Sequence, residues 1–322
     1  MSRLRYALEL PRRAVLAGLL LASGASLGIA SAPAGAVTAR WRSRLALSAV
    51  SGWGCQYQNV DLVAIARSDL DLIVIDPCLD DDQRRLVTAS DCVSIKRRPE
   101  GSRRLVLAYL SVGEADTKRW YWPAAWRENV PDWAGAENEN WPGARSVQYW
   151  RAEWRELIYA GSGSILDRIL DAGFDGVFLD RVDAYGDWGS TPAMLDAMAE
   201  TVAAIGRKAR SRNPDFILMV QNAEHVLDRK ILIDAIDAHS KESLLTGLSA
   251  PDTLNAPEDV EWSLGHLRPL QRKGIPTFAI EYIAREELKG DIRRRLVELG
   301  FRPFFGNRGL DRLPVQLAVS AH

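Results

Sequence analysis

Carboxylates recur in this sequence where short apolar runs end. Asp76 closes LIVID (72 to 76), Glu114 follows RLVLAYL (104 to 110), and Asp180 closes GVFLD (176 to 180) with Asp183 just behind it. Glu224 follows FILMVQN (216 to 222), Glu242 ends IDAHSKE (236 to 242), and Glu281 lies in TFAIEY (277 to 282). If such ends meet around one opening, the acids raise one another's pKa, which is costly unless it is put to use. Glycoside cleavage uses it directly. One protonated carboxyl donates to the leaving oxygen while a second carboxylate attacks the anomeric carbon or activates water. Two acids pushed to different pKa values supply both roles at one pH.

A lone acid at a strand end is more often a helix cap or a solvated loop residue, so the members of the set are not equal. Asp180 stands out because it ends an otherwise apolar strand. Glu242 stands out because the polar run before it offers no core explanation. Asp183 either caps its loop or holds a substrate amine or hydroxyl, and Asp76, Glu114 and Glu281 are candidate substrate contacts. Other chemistries fit less well. His225, His239, His266 and His322 form neither HxH nor HExxH, and no CxxC pair occurs, so a zinc centre is poorly supported. His239 either points into the opening or is a hydrogen-bonded barrel histidine. No GxSxG elbow and no phosphate loop is present. Neither a cofactor nor a resident metal is expected, although a cation held by Asp76, Asp180 and Glu242 stays open as an alternative.

The elements that must position these acids alternate along the chain. To the strand-like runs above are added LALSAV (45 to 50) at the front and PFFG (303 to 306) at the back, which makes eight. Between them lie stretches of helical periodicity such as residues 154 to 173, 192 to 213 and 285 to 300. Near-continuous apolar strands separated by helices predict a parallel sheet covered on both faces. Eight of them, with no GxGxxG after the first, predict a closed (β/α)₈ TIM barrel in a single domain, whose catalytic face carries the strand C-termini.

The connection from Ser111 to Trp150 is far longer than the roughly 2 to 6 residues of an ordinary βα loop. It holds six of the eleven tryptophans, Trp120, Trp122, Trp126, Trp133, Trp141 and Trp150. Indoles serve either as packing anchors or as platforms for sugar faces. Trp120 is the candidate for the second role.

Residues 1–36 have the layout of an export signal: Arg3, Arg5, Arg12 and Arg13 at the start, the apolar stretch LAGLLLASGASLGIASA, and Ala34-Gly35-Ala36 as a cleavage site. The Arg12-Arg13 pair suggests twin-arginine export, with an ordinary secretory signal as the competing route. Processing would leave residues 37–322 as the barrel domain, located in the periplasm or outside the cell, with 37 basic and 41 acidic side chains. That balance has no basic block, which argues against nucleic acid as a partner. No later stretch is apolar for long enough to insert stably in a membrane. Cys55, Cys78 and Cys92 are either buried thiols or, for Cys78 and Cys92, a disulfide.

Several motifs, in order, carry a family likeness: YLSVGEA (109 to 115), RWYW (119 to 122), QYWRAEW (148 to 154), GFDGVFLDRVDAY (173 to 185), QNAEHVL (221 to 227), AIEYI (279 to 283) and GLDRL (309 to 313). Together they resemble glycoside hydrolase family 114, the endo-α-1,4-polygalactosaminidases with a TIM-barrel fold. The resemblance implies hydrolysis of α-1,4-linked galactosamine polymers, partly or wholly deacetylated, with retention at the anomeric carbon. It makes Asp180 the nucleophile and Glu242 the general acid/base, and it lines the groove with Glu114, Asp183, Tyr109, Tyr185 and Asn222. The substrate partner would then be an amino-sugar polysaccharide or oligosaccharide, cationic where deacetylated, which an acid-rich mouth would attract. Two other readings stand beside this one: a non-catalytic carbohydrate-binding barrel, and a metal-assisted hydrolase. The sequence departs from the family pattern at Ala223 and His225, where Gly and Glu are usual, and at Ser243, where another acid is common.

Overall fold

The computed structural model describes residues 34–79 and 85–313. The proposed export signal therefore lies outside the described residues, except for its last three positions. Those positions open helix α1 (Ala34–Ser48).

Eight parallel strands follow in sequential order: β1 (Trp53–Gln56), β2 (Leu72–Ile75), β3 (Leu105–Ser111), β4 (Gly176–Asp180), β5 (Ile217–Gln221), β6 (Ala238–Glu242), β7 (Thr277–Glu281) and β8 (Phe301–Phe305). Helices α2 (Leu62–Arg67), α3 (Ala89–Lys96), α4 (Ala152–Arg155), α5 (Ile165–Asp171), α6 (Pro192–Arg212), α7 (Lys230–Ala235), α8 (Pro257–Arg272) and α9 (Glu286–Glu298) lie between them. This is the expected (β/α)₈ TIM barrel. No helix among the described residues is long and apolar enough to cross a membrane.

Strand periodicity sorts the side chains into two cores. Leu72, Val74, Leu107, Phe178, Met219, Phe278 and Phe304 fill the barrel interior. The alternate residues Ile73, Ile75, Val106, Val177, Leu218 and Ala279 pack outward against the helices. The same alternation decides which strand-end acid reaches the opening, because a residue one step out of phase faces the helices instead.

The first strand differs from the expectation. LALSAV is the end of α1 and its exit, and β1 is the next segment, WGCQ. The run is too short for its apolar residues to distinguish a period of two from a helical face. Leu47 and Val50 are buried with the barrel interior, while Leu45 is exposed. Two arginines one turn apart fix the helix across the lower end of the barrel: Arg40 Nη2 donates to Ile236 O at 2.8 Å and Arg44 Nη2 to the same oxygen at 3.0 Å. Asp237, fully buried, pairs with Arg40 at 3.4 Å and Arg210 at 2.6 Å and accepts Leu218 N at 2.9 Å. The apparent helix of residues 154 to 173 is also divided. After α4 the chain makes one π turn (Glu156–Ala160), and Gly161 and Gly163 separate it from α5.

The sheet has one seam. Between β8 and β1 no hydrogen-bonded ladder runs among the described residues. Side chains bridge it instead. Trp53 Nε1 donates to Arg302 O at 3.0 Å, the Trp53 and Phe304 rings meet at 5.5 Å, and Arg302 Nε donates to Val50 O at 3.1 Å.

The long connection after β3 has its own structure. Three short antiparallel strands, Glu114–Asp116, Ala144–Val147 and Ala134–Glu137, form a small sheet with the second of these in the middle. Below it, Trp122, Trp126, Trp133 and Trp154 pack with successive ring centroids 5.1 to 5.9 Å apart. Most of the tryptophans are thus packing anchors. Trp141, 45 % exposed, is an exception.

The three cysteines are free and buried. Burial pushes the thiols of Cys78 and Cys92 up to about 12, so they stay protonated.

Candidate active site

At the C-terminal end of the barrel, Asp180 is in phase with Gly176 and Phe178, and Glu242 is in phase with Ala238 and Ser240. Both therefore point inward. Asp180 Oδ2 accepts the Tyr109 hydroxyl at 2.8 Å, and Oδ1 accepts Arg181 N at 2.8 Å. Burial, and next the charge of Glu242, push the Asp180 carboxyl up from its ordinary 3.8 to about 7. The second cause places the two carboxylates within electrostatic reach of each other.

Glu242 is clamped from two sides. Asn222 Nδ2 donates to Oε2 at 3.0 Å while Asn222 Oδ1 accepts the Glu242 backbone N at 3.0 Å. The Tyr282 hydroxyl donates to Oε1. Burial, with the neighbouring carboxylates Asp180 and Glu242 respectively, holds Tyr109 and Tyr282 above the usual phenol value. They stay O–H donors. The Arg308 guanidinium lies 5.1 Å from the Tyr282 ring centroid, and the Tyr57 ring 4.3 Å from that of Tyr109.

The backbone that presents these groups is strained. Arg181, directly after Asp180, has φ +55°, Asn222 and Ala223 have φ +53° and +64°, and Ser243, directly after Glu242, has φ +50°. Side chains other than Gly rarely adopt this conformation, and where they do so at several strand ends of one opening they mark a site held by its surroundings. Ala223 occupies a left-handed position that a Gly fills without cost, which explains why the family pattern has Gly there. Gly113 has the opposite task. A Cβ there would stand 2.2 Å from Ala184 Cβ and 2.4 Å from Arg181 O, so only glycine lets the β3 loop lie against the loop behind Asp180.

Arg181 gathers the rim acids. It pairs with Glu114 at 3.4 Å, Asp183 at 3.4 Å and Asp187 at 2.5 Å. Asn138 Nδ2 also donates to Glu114 at 2.7 Å. Asp183 stays 41 % exposed at its side chain and so is available at the mouth.

Four candidates lie elsewhere. Glu281 is in phase with Ala279, which turns it toward the helices; it is fully buried and accepts Leu245 N at 2.8 Å, Thr246 N at 3.1 Å and Thr246 Oγ1 at 2.5 Å. It braces the loop after β6, facing away from the mouth. Asp76 is in phase with the interior, but Arg119 takes both of its oxygens, at 3.0 and 2.5 Å, and Cys78 N donates to it at 2.8 Å. It holds Arg119 rather than a sugar, and the alternative of a cation bound by Asp76, Asp180 and Glu242 loses a ligand. Trp120 packs under the Arg168 guanidinium, 3.8 Å from its ring centroid, on the flank beside α5. Tyr185 is 4 % exposed in the outer core beneath the rim. His239 faces outward, fully buried, with Nε2 2.8 Å from Asn222 O, and burial lowers it to about 4. It is a neutral barrel histidine that supports Asn222. Glu224, also buried, pairs with Lys241 at 2.8 Å.

Tyr57, Tyr282, Arg119 and Arg181 were not singled out from the sequence. For the tyrosines a signal existed: each lies two residues past an inward-facing position, Cys55 and Ile280.

The model of glycoside-hydrolase family GH114 matches residues 31–318. The chain belongs to family GH114. An uncharacterised protein of Deinococcus radiodurans is 33 % identical over 272 residues, covering 83 % of this chain and 84 % of the relative. Among solved structures, the glycoside hydrolase domain of PelA from Pseudomonas aeruginosa matches with a TM-score of 0.62 at 22 % identity, over 82 % of this chain and 97 % of that domain. Aspergillus fumigatus Ega3, in complex with galactosamine, matches with a TM-score of 0.59 at 18 % identity, over 83 % and 95 %. At these identities the two structures attest the GH114 barrel as a fold.

Proposed function

We propose that this GH114 member is an exported retaining glycosidase that cleaves α-1,4-linked, galactosamine-containing polysaccharide. The observation that carries the reading is the pair Asp180 and Glu242, both directed into the mouth of the barrel, each fixed by two donors, and close enough for one charge to raise the other's pKa. Glu242 protonates the glycosidic oxygen as Asp180 attacks the anomeric carbon, which gives a glycosyl-enzyme. Glu242 then removes a proton from water, which displaces Asp180 with a second inversion and so net retention. Tyr109 and Asn222 hold the two carboxylates in line. The amino-sugar assignment is supported by the galactosamine bound in the related Ega3 and by the acids Glu114, Asp183 and Asp187 at the rim, which suit a cationic ring substituent. Residues 1–36 would direct the enzyme to the periplasm or the exterior.

Incubation with defined galactosamine and N-acetylgalactosamine oligomers, read by mass spectrometry and by NMR of the first-formed anomer, tests this directly. Shorter oligomers with a retained anomer are expected. Binding without new reducing ends would instead make the protein a carbohydrate-binding barrel, and loss of cleavage on chelation would make it a metal-assisted hydrolase.

A further inference from the structure

Beside the mouth, three accessible rings, His225, Trp262 and His266, follow one another down the outside of the barrel, with buried Tyr185 behind the first of them. Tyr185 lies 6.2 Å from His225, His225 lies 5.2 Å from Trp262, and Trp262 lies 4.6 Å from His266. His225 is exposed in the turn after β5, and Trp262 is 45 % exposed on α8. A single exposed indole on a helix needs no explanation, but one continued on both sides by imidazole rings makes a surface. His266 also lines a cleft of about 520 Å³ between α7 and α8, together with Asp228, Asp234, Lys230, Lys273 and Pro269. The series thus joins the active-site rim to a second concavity.

We propose that this ring series and its cleft form an ancillary glycan-binding track, which holds a stretch of the polymer that extends beyond the mouth. The inference rests on the amino-sugar reading above. Two features select that occupant. The track begins at the rim, where exposed His225 follows Asn222, the residue that clamps Glu242, by three positions, so a chain leaving the mouth on this side meets His225 and Trp262 next. The helix surface beside Trp262 is also acidic: Glu258 and Asp259 are exposed one helical turn before it. A flat indole face takes the apolar face of a sugar ring, and the flanking carboxylates pair with free amines on neighbouring sugars.

The full chain, with Trp262→Ala and Trp262→Phe, tests the track in two ways. In hydrolysis, Trp262→Ala is expected to raise KM for long polymer about 5- to 10-fold while kcat/KM for a trisaccharide is unchanged, and Trp262→Phe is expected to recover much of the loss. In binding, an Asp180→Asn background should lose about 10-fold in retention on immobilised galactosamine polymer when Trp262→Ala is added. Equal effects on polymer and trisaccharide, or polymer retention untouched by Trp262→Ala, overturn the track. If the wild-type chain cleaves no glycan, the proposed function fails, yet the retention comparison still decides the track.

Discussion

Asp180→Asn is expected to lower kcat/KM by on the order of 10³-fold or more, because an amide cannot form the covalent bond to the anomeric carbon. Glu242→Gln should cost roughly 10²- to 10⁴-fold, the usual range for general acid/base loss. The two are separable. With a substrate whose leaving group needs no protonation, Glu242→Gln should regain the first step and Asp180→Asn should not. The pH profile follows from the same pair. Asp180 must be ionised to attack, and its pKa is raised to about 7, so activity should fall as pH drops through that region. Stability runs the other way. From the ordinary carboxylate range up to about 7 the folded state keeps a proton that the unfolded chain has released, so stability declines as pH rises through this window. Asp180→Asn removes that cost, and the variant should melt at a temperature no lower than wild type at pH 8. An inactive variant that melts lower would point to misfolding. Near wild-type activity would remove Asp180 from the mechanism.

The second large effect concerns the other end of the barrel. Asp237→Ala is expected to destabilise the fold by about 3–5 kcal/mol, since it leaves Arg210 and Arg40 without their common partner in a buried setting. The amide of Leu218 loses its acceptor as well. Denaturant unfolding measures this. A change below about 1 kcal/mol would mean that water replaces the carboxylate and that the lower end is more open than its burial implies.

Much of this was legible in the sequence. Seven of the eight strands were placed, six of them because parallel strands covered on both sides are near-continuous apolar runs, and the polar β6 by its place in the alternation. The small sheet after β3 was not, because its strands are three or four residues long and carry no apolar periodicity. That Asp180 and Glu242 would face the opening was legible from their position at strand ends. Glu281 was misassigned for the same reason: a strand end fixes height along the barrel, while phase fixes direction, and Glu281 is one residue out of phase with Ile280 and Tyr282. Asp76 had the right phase but the wrong partner. Arg119, 43 residues later in the chain, could be matched to it only once the fold brought them together. The tryptophan-rich connection was seen as exceptional, and its indoles proved mostly to be the core of a substructure that the barrel itself does not supply.

The seam between β8 and β1 divides the barrel into zones of unequal protection. Amides on strands paired at both sides exchange with solvent only when a large part of the barrel opens, whereas outward-directed amides at an unpaired edge are released by small excursions. Deuterium uptake should therefore begin at β1 and β8 and reach β4, β5 and β6 last, and uniform uptake over all eight would contradict the open ladder. Asp180 ends β4 and Glu242 ends β6, across the sheet order from this edge. Opening at the seam would thus leave the strands that carry the two carboxylates paired on both sides.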